Sequence, residues 1–260
     1  MRALSIAKFE ENATNEDAVA ASSKAIVVSD GAGGGGVFAE KWSQYLVTNL
    51  PDDSITCYEA FDNWIESIWE PFYNECEEKA KTIGGLFLNK FYDEGSFATL
   101  AAIWENGQWV SYGDSVAFCY DMRTGELHHS FTFLEDFNKP PFLINCKDPL
   151  NPKGVRSGRF DINSDCVVFA ATDTLAHYIL MMYEVSHKDK FAKELQKAID
   201  AQTKNSNYIK AAMSIEKFDF EKDVIFKLKN CPSRPFFRNH IKGLKKKGLI
   251  GHDDYSLVIM

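Results

Sequence analysis

The sequence lacks any long apolar segment. No run of apolar residues approaches the roughly 20 that a helix needs to span a bilayer. The first residues, Met1–Lys8, contain too few apolar residues for a secretory signal, and their alternation predicts a first strand instead. We therefore expect a protein with no membrane partner.

Cysteine pairs are also missing. The six cysteines are scattered, and none belongs to a CxxC pair. Without a secretory signal, this pattern indicates reduced thiols, several of them in the core, rather than a disulfide framework. We expect a cytoplasmic protein.

The chain has no excess of positive charge: 29 Lys and Arg stand against 37 Asp and Glu, for a formal charge of −8. Because phosphate binding needs a basic face, a nucleic-acid partner is not expected. The one notable basic cluster is Lys242–Lys247. We interpret it as a solvated helix end, where lysines suit the negative end of the helix dipole. The alternative is a docking patch for an acidic partner.

Repeats and low-complexity linkers are absent as well, so we predict a single domain over residues 1–260. Apolar periodicity predicts helices at Phe38–Val47 and Tyr58–Lys81, a mostly helical stretch from Thr174 to about Lys247, and a loop-rich stretch at Phe137–Arg159. Strands in hairpins and helices in blocks favour an α+β fold. The predicted strands are Arg2–Lys8, Ala18–Ala20, Lys24–Ser29, Ser96–Trp104, Gln108–Tyr112, Val116–Tyr120, Leu127–Phe133, Asp165–Ala171 and Tyr255–Met260.

Aspartates stand at the ends of strand-like runs. Asp30, Asp114 and Asp173 each follow such a run, and Asp253 precedes the last one. Carboxylates that converge at the rim of a sheet repel each other, and a hard divalent cation with oxygen ligands relieves this repulsion. The pattern predicts a metal site assembled from distant parts of the chain.

Each of these motifs has an ordinary alternative. The segment Asp30–Gly34 could be a phosphate loop, but it lacks the Lys-Ser/Thr of a P-loop. Asp173 could cap a helix. The segments Asn15–Asp17, Gly113–Ser115 and Asp253–Asp254 could be plain turns or bends. Independent accidents do not readily explain their occurrence together in this order.

Six short motifs follow one another along the chain. They are Asn15-Glu16-Asp17, Asp30-Gly31-x-Gly33-Gly34, Gly95-Ser96-x-Ala98, Gly113-Asp114-Ser115, Ala171-Thr172-Asp173 and Asp253-Asp254. Their order resembles that of the metal-dependent PP2C (PPM) protein phosphatases, and the resemblance runs from Glu10 to Met260. The loop that begins at Asp136 resembles a bacterial, signalling branch of that family.

The resemblance implies a four-layer αββα sandwich, in which two antiparallel sheets are flanked by helices and metals bind at one end. It implies that Asp30 bridges two Mn²⁺ or Mg²⁺ ions, with the Gly31 carbonyl on one of them. Asp173 and Asp253 would complete the shell of the first ion.

The second ion would be held by Glu16 or Asp17, directly or through water, so that Asp17 and Asp30 are the implied catalytic residues. Asp114, with Asp173, matches the position of a third, weaker ion in bacterial members.

The implied chemistry follows from the charges. Two cations about 3.5–4 Å apart share a water and lower its pKa, which generates a hydroxide for attack on phosphorus. The expected reaction is hydrolysis of phosphoserine or phosphothreonine in a phosphoprotein, the substrate of a serine/threonine kinase, without a covalent phosphoenzyme.

The chain departs from the family at Asn12, which stands where the family has its substrate-phosphate arginine. Losing that guanidinium would remove a charge-assisted clamp, and Arg2, Lys8 and Lys24 are candidates to replace it. The stretch before the last strand is also long, which predicts a helical insertion at about residues 186–247.

Three functions therefore remain open. The first is a metal-dependent phosphoprotein phosphatase, favoured by the complete set of ligands. The second is a catalytically weak or inactive binding module, favoured by Asn12. The third is a two-metal hydrolase of small phosphoesters.

Overall fold

The computed structural model describes residues 1–34 and 36–260. Gly35, within the predicted glycine run Gly33–Gly36, lies outside the described residues. The strands are β1 Arg2–Ile6, β2 Ala18–Ala21, β3 Ala25–Ser29, β4 Phe97–Ala98, β5 Leu100–Trp104, β6 Gln108–Tyr112, β7 Val116–Asp121, β8 Glu126–His129, β9 Ile144–Asn145, β10 Val155–Arg159, β11 Cys166–Ala171 and β12 Tyr255–Ile259. The α-helices are α1 Ala39–Thr48, α2 Tyr58–Ile83, α3 Gly85–Glu94, α4 Asp173–Ser186, α5 Ala192–Asp200, α6 Lys204–Met213, α7 Phe226–Lys229 and α8 Arg234–Lys246.

Two five-stranded antiparallel sheets form the centre of the molecule. The first has the strand order β1-β12-β11-β7-β8, and the second has the order β10-β6-β5-β3-β2. Strands β4 and β9 form a small separate pair. Residues between the two large sheets are mostly small or β-branched, which lets the sheets pack closely. They include Ile26, Val28, Ala101, Ile103, Ala117, Cys119, Val168, Ala170 and Val258.

The outer face of each sheet is covered by helices. Because side chains alternate along a strand, Val27 points away from Val28 and packs with the apolar faces of α1, α2 and α3. On the other sheet, the rings of Phe118 and Phe169 stack with centroids 5.0 Å apart and join the core formed with α4 and the helices that follow it. The layers are therefore αββα, and the predicted α+β sandwich is confirmed.

Several element boundaries differ from the predictions. The predicted strand Ser96–Trp104 is divided at Thr99, whose N–H donates to the Asp30 carbonyl over 2.8 Å instead of continuing the ladder. The predicted strand Leu127–Phe133 is shorter and ends at His129. The predicted loop Phe137–Arg159 contains the strands β9 and β10.

The long helical stretch before β12 is present. A π-helical turn at Glu221–Ile225 precedes α7, and the helices α5 to α8 complete the layer outside the first sheet. None of the helices in residues 1–34 and 36–260 combines the length and the apolarity that crossing a bilayer requires.

Candidate metal and active site

The predicted site segments meet at one end of the sandwich because of the strand register. Ala18 at the start of β2 pairs with Ser29 at the end of β3. Ala171 at the end of β11 pairs with both Val116 at the start of β7 and Leu257 near the start of β12. The segments that carry the motifs therefore lie at the same end of the two sheets.

Asp30 is at the centre of this end. Its pKa is raised well above the usual value, first because of burial and then because neighbouring carboxylates disfavour its charge. Those neighbours come from four separate segments of the chain. They are Asp17, Asp173, Asp114 and Asp253.

Asp17 is the buried neighbour that bonds to Asp30. Thr172 donates a hydrogen bond from Oγ1 to Oδ2 of Asp17 over 2.9 Å. Burial raises the pKa of Asp17 to about 7, and hydrogen bonds with Ser256, Thr172 and Asp30 only partly oppose the rise. Burial therefore disfavours full ionisation of the two carboxyl groups side by side.

The other three aspartates also have raised pKa values. Burial raises the pKa of Asp114 to about 6, against the opposing charge of Arg156. Asp173 begins α4, and the pKa of this carboxyl lies well above its usual value because of burial and because of Asp114 and Asp253. Burial likewise raises the pKa of Asp253.

The donor set suits a hard divalent cation, since carboxylates and carbonyls are the oxygen ligands that Mg²⁺ and Mn²⁺ prefer. The side chains are not arranged around a common point, however. In the described parts of the chain, no group of three or more His, Cys, Asp or Glu side chains stands so that it could hold an ion. Asp17 instead bonds to Asp30, and Asp173 accepts from the Thr174 N–H. Ion binding would require these carboxyl groups to turn.

Backbone segments approach one another closely at Gly31. A Cβ at Gly31 would lie 2.6 Å from the carbonyl oxygens of both Glu16 and Ala39. The Gly31 N–H donates to the Glu16 carbonyl over 3.1 Å, and Gly31 also forms an isolated β-bridge with Ala98. A side chain is therefore excluded here by the close approach of three segments.

The Glu16 side chain lies against Gly33 in the glycine run. Its carboxylate overlies Gly33 so closely that a Cβ there would collide with it. Burial raises the pKa of Glu16, and Asp254, Glu40 and Asp253 raise it further against the opposing charge of Lys8. The structure thus brings Glu16 to the rim of the site.

Asp254 has a structural role that the sequence did not reveal. It is buried, with 4% of its surface exposed. Its Oδ1 accepts the Lys8 N–H over 2.8 Å, and its Oδ2 accepts the Glu16 N–H over 2.6 Å. Asp254 thereby fastens the β1–β2 connection to the segment before β12, while Asp253 faces the other carboxyl groups.

Solved structures with the same architecture come from bacterial phosphatases. One is the Mycobacterium tuberculosis serine/threonine phosphatase PstP/Ppp, with 17% identity, a TM-score of 0.54, and coverage of 99% of this chain and 96% of that chain. A second is the catalytic domain of PstP in complex with two manganese ions, with 16% identity, a TM-score of 0.53 and coverage of 99% and 96%.

A third is a bacterial serine phosphatase that carries a single arginine-to-lysine mutation, with 14% identity, a TM-score of 0.50 and coverage of 99% and 95%. The chain has the PPM phosphatase fold. No family model matches the sequence, and no curated protein matches it.

The position that departs from the PPM pattern lies in the β1–β2 connection. Asn12 is exposed and has a left-handed backbone, with φ of 59°. Asparagine tolerates this conformation better than most residues. It does not contribute the charge that an arginine would bring to a substrate phosphate.

Two of the three predicted replacements for that arginine do not reach this end of the fold. Arg2 pairs with Ile259 at the opposite end of β1 and donates to the carbonyls of Lys229 and Cys231 over 2.7 and 2.6 Å. Lys24, in the β2–β3 turn at that same opposite end, lies 4.0 Å from Glu105. Lys8 remains, because its charge acts on Glu16 and Asp253.

Arg156 is a cation near the site that sequence reasoning missed. Its guanidinium lies over the Phe131 ring, 4.9 Å from the centroid, and donates to the Ser130 carbonyl over 3.3 Å. Its charge opposes the rise in the pKa of Asp114. The only sequence signal was a basic residue in β10, which has little apolar alternation and was predicted as loop.

Proposed function

We propose that this protein is a divalent-metal-dependent phosphatase that hydrolyses phosphoserine and phosphothreonine in proteins phosphorylated by a serine/threonine kinase. The observation that carries the proposal is the convergence of Asp30, Asp114, Asp173 and Asp253 at one end of a PPM fold. Carboxyl groups that raise each other's pKa values form a site with excess negative charge, which favours bound cations.

The proposed ligands follow the order of the motifs. Asp30 would contact two Mn²⁺ or Mg²⁺ ions, with the Gly31 carbonyl on one of them, and Asp173 and Asp253 would complete that ion's protein ligands. When bound, such ions would activate a water for attack on phosphorus and offset charge on the phosphoryl oxygens. The remaining proposed ligands are Glu16 or Asp17 on the second ion and Asp114 on a third.

The chain's own residues orient the reacting groups. Thr172 donates to the carboxyl group of Asp17 and holds it in place, and burial raises the pKa of that carboxyl group. Lys8 and Arg156 are the cations whose charges act on the site carboxyls. We propose that they take the place of the missing guanidinium at Asn12 in attracting the substrate phosphate.

The direct test is hydrolysis of p-nitrophenyl phosphate and of a phosphothreonine peptide, with and without Mn²⁺. We expect Mn²⁺-dependent turnover that Asp30→Asn lowers at least about a hundredfold, because Asp30 is the shared ligand. The matched control is Asp53→Asn, an exposed position in the loop before α2, which should keep full activity.

A binding module without turnover is the second candidate, and the exposed Asn12 favours it. Calorimetry with Mn²⁺ separates the two candidates. Metal binding without hydrolysis of any phosphoester would overturn the enzyme and support the module. Hydrolysis of small esters alone would support the third function, a hydrolase of small phosphoesters.

A further inference from the structure

Positive charge is concentrated in one segment of this acidic protein. Between residues 224 and 252 the chain carries eight of its 29 Lys and Arg and none of its 37 Asp and Glu. The segment includes all of α8. Its cations are Lys227, Lys229, Arg234, Arg238, Lys242, Lys245, Lys246 and Lys247.

Five of these eight cations lie in helix α8. Phe237, Ile241 and Leu244 are buried against the core, whereas Arg238 and Lys242 are exposed one turn apart. Residues at i and i+4 lie above one another on a helix. The outer face of α8 is thus a continuous row of positive charge.

Three cations of this row converge on one aromatic ring. The Arg238 guanidinium lies 4.7 Å from the centroid of Phe9, and the ammonium groups of Lys245 and Lys242 lie 5.2 and 5.8 Å from it. We call Phe9 and the outer face of α8 the basic face. Cation–π contacts hold its charges in place without neutralising them.

The basic face differs from α2 in having no carboxylate within ion-pair distance among the described residues. On α2, Lys79 pairs with Glu75 and Lys81 pairs with Glu77. Within residues 1–34 and 36–260, no ion pair shorter than 4.0 Å involves a cation of α8. Like charges at i,i+4 destabilise a helix. The uncompensated charge therefore weakens the fold, and an external anion would relieve that cost.

One end of the basic face reaches the candidate active site. Lys245 is hydrogen-bonded to Nδ1 of His252, the neighbour of Asp253, and the other ring nitrogen of His252 lies 2.9 Å from Glu10. The Lys8 N–H, next to Phe9, donates to Asp254 over 2.8 Å. The N-terminal end of α8 lies near Cys231, whose carbonyl accepts from Arg2 at the far end of β1. The row therefore runs from the far end of the sandwich to the rim of the site.

We propose that the basic face binds an acidic segment of the phosphoprotein substrate. This rests on the proposed function, and it narrows the substrates to phosphorylated sites flanked by Asp, Glu or further phosphate groups. The 13 residues of α8 span about 20 Å at 1.5 Å per residue. An extended peptide covers that distance with about six residues. A segment of this length would hold an adjoining phosphorylated residue at the rim of the site.

A peptide fits this position better than an anionic membrane. The basic face ends at the rim that a phosphorylated side chain must enter, so a bilayer lying on α8 would cover that entrance. A bound segment of chain would leave the entrance open and would supply its own phosphorylated residue.

The test compares two phosphothreonine peptides that are identical except for a flanking run of six residues, all Asp in one and all Asn in the other. The variant is Arg238→Gln/Lys242→Gln/Lys246→Gln. The control is Lys193→Gln/Lys204→Gln/Lys210→Gln, which removes the same charge from exposed positions on α5 and α6.

We expect the wild type to have a kcat/KM about tenfold higher for the acidic peptide, the size of effect expected from a few exposed charge pairs. The preference should fall to near one in the α8 variant, persist in the control, and weaken at high salt. Turnover of p-nitrophenyl phosphate should be unchanged in both variants, and their melting temperatures should stay at or above that of the wild type.

Fluorescence anisotropy with the acidic peptide provides a readout that does not need catalysis. If the wild type hydrolyses nothing but binds this peptide through the α8 cations, the proposed function fails and the docking surface stands. Equal kcat/KM and equal affinity for the two peptides would overturn the docking proposal. So would binding to phosphatidylserine vesicles with no affinity for the acidic peptide.

Discussion

Two adjacent aspartates just before β12 have different roles. The charge of Asp253 acts on the carboxyl groups of Asp30 and Asp173. Asp254 accepts two backbone N–H groups from the β1–β2 connection. An aspartate thus contributes to the candidate site at position 253 and stabilises the fold at position 254.

This difference predicts opposite effects of Asp→Asn at the two positions. An amide at Asp254 can accept only one of the two N–H groups, so Asp254→Asn should lower the free energy of unfolding by about 2–3 kcal/mol. Asp253→Asn removes a repelling charge and should leave stability equal or higher while abolishing Mn²⁺-dependent turnover. Urea denaturation in EDTA measures the first effect and phosphatase assays the second.

Equal losses of stability in the two variants would contradict this division of roles. Asp53→Asn, at an exposed position in the loop before α2, should change neither measurement. Because Asp→Asn keeps the size and shape of the side chain, the comparison isolates the effect of its charge and hydrogen bonds.

The sequence indicated which aspartates lie near one another better than it indicated their contacts. The order of the motifs identified Asp30, Asp114 and Asp173, and the strand register brings them together. The sequence did not indicate that Arg156 lies near Asp114. Arg156 is in the edge strand β10, whose position depends on pairing with β6 and not on its own sequence pattern. Nor could the sequence separate the hydrogen-bonding role of Asp254, since a pair of aspartates carries no information about which one faces the cluster.

At the scale of elements, the sequence predicts the strands with marked apolar content, but not the short strand β9 or the polar strand β10. β3 and β11 are almost entirely buried, and their apolar runs indicated them clearly. β10 has the sequence VRSGR, with one apolar residue, and it forms because β6 offers it a free edge. Pairing with a neighbouring strand, rather than the local strand preference of its residues, determines that β10 is a strand.

Helix α4 carries a buried acid that makes stability depend on pH. Glu184 is 5% exposed, and its Oε2 finds no hydrogen-bond partner among the described residues. Burial, with a smaller contribution from Glu194, raises the pKa of Glu184 from its usual 4.5 to about 8. Between these two values the folded protein holds a proton that the unfolded chain releases, so stability falls as pH rises.

Glu184→Gln should remove this loss. At pH 8 the variant should be more stable than the wild type by about 4 kcal/mol, and near pH 4.5 the difference should nearly vanish. Thermal unfolding from pH 4.5 to pH 8 measures this difference, with Glu216→Gln at an exposed position as the control. A wild type and a Glu184→Gln variant whose melting temperatures change in parallel with pH would contradict the buried, protonated acid.

At the scale of the whole molecule, negative charge is gathered at one end and positive charge along α8 beside it. The carboxyl cluster has pKa values of about 7 for Asp17 and about 6 for Asp114, against a usual value of 3.8. Both pKa values are raised in the folded state. The metal-free fold therefore loses stability as pH rises from about 4 to about 7.

Divalent cations should reverse this loss, because in the proposed function they would occupy the site in place of protons. A ligand that binds only the folded state at about 100 times its Kd adds about 2.7 kcal/mol, which raises Tm by about 5–10 °C for a chain of this size. We expect Mn²⁺ to raise Tm by this much at pH 8 and by much less at pH 5.5, where protons compete for the carboxyl groups. Asp173→Asn should abolish the shift at both pH values, and Asp53→Asn should keep it. A shift that is equal at the two pH values, or that survives in Asp173→Asn, would show that the ion binds elsewhere.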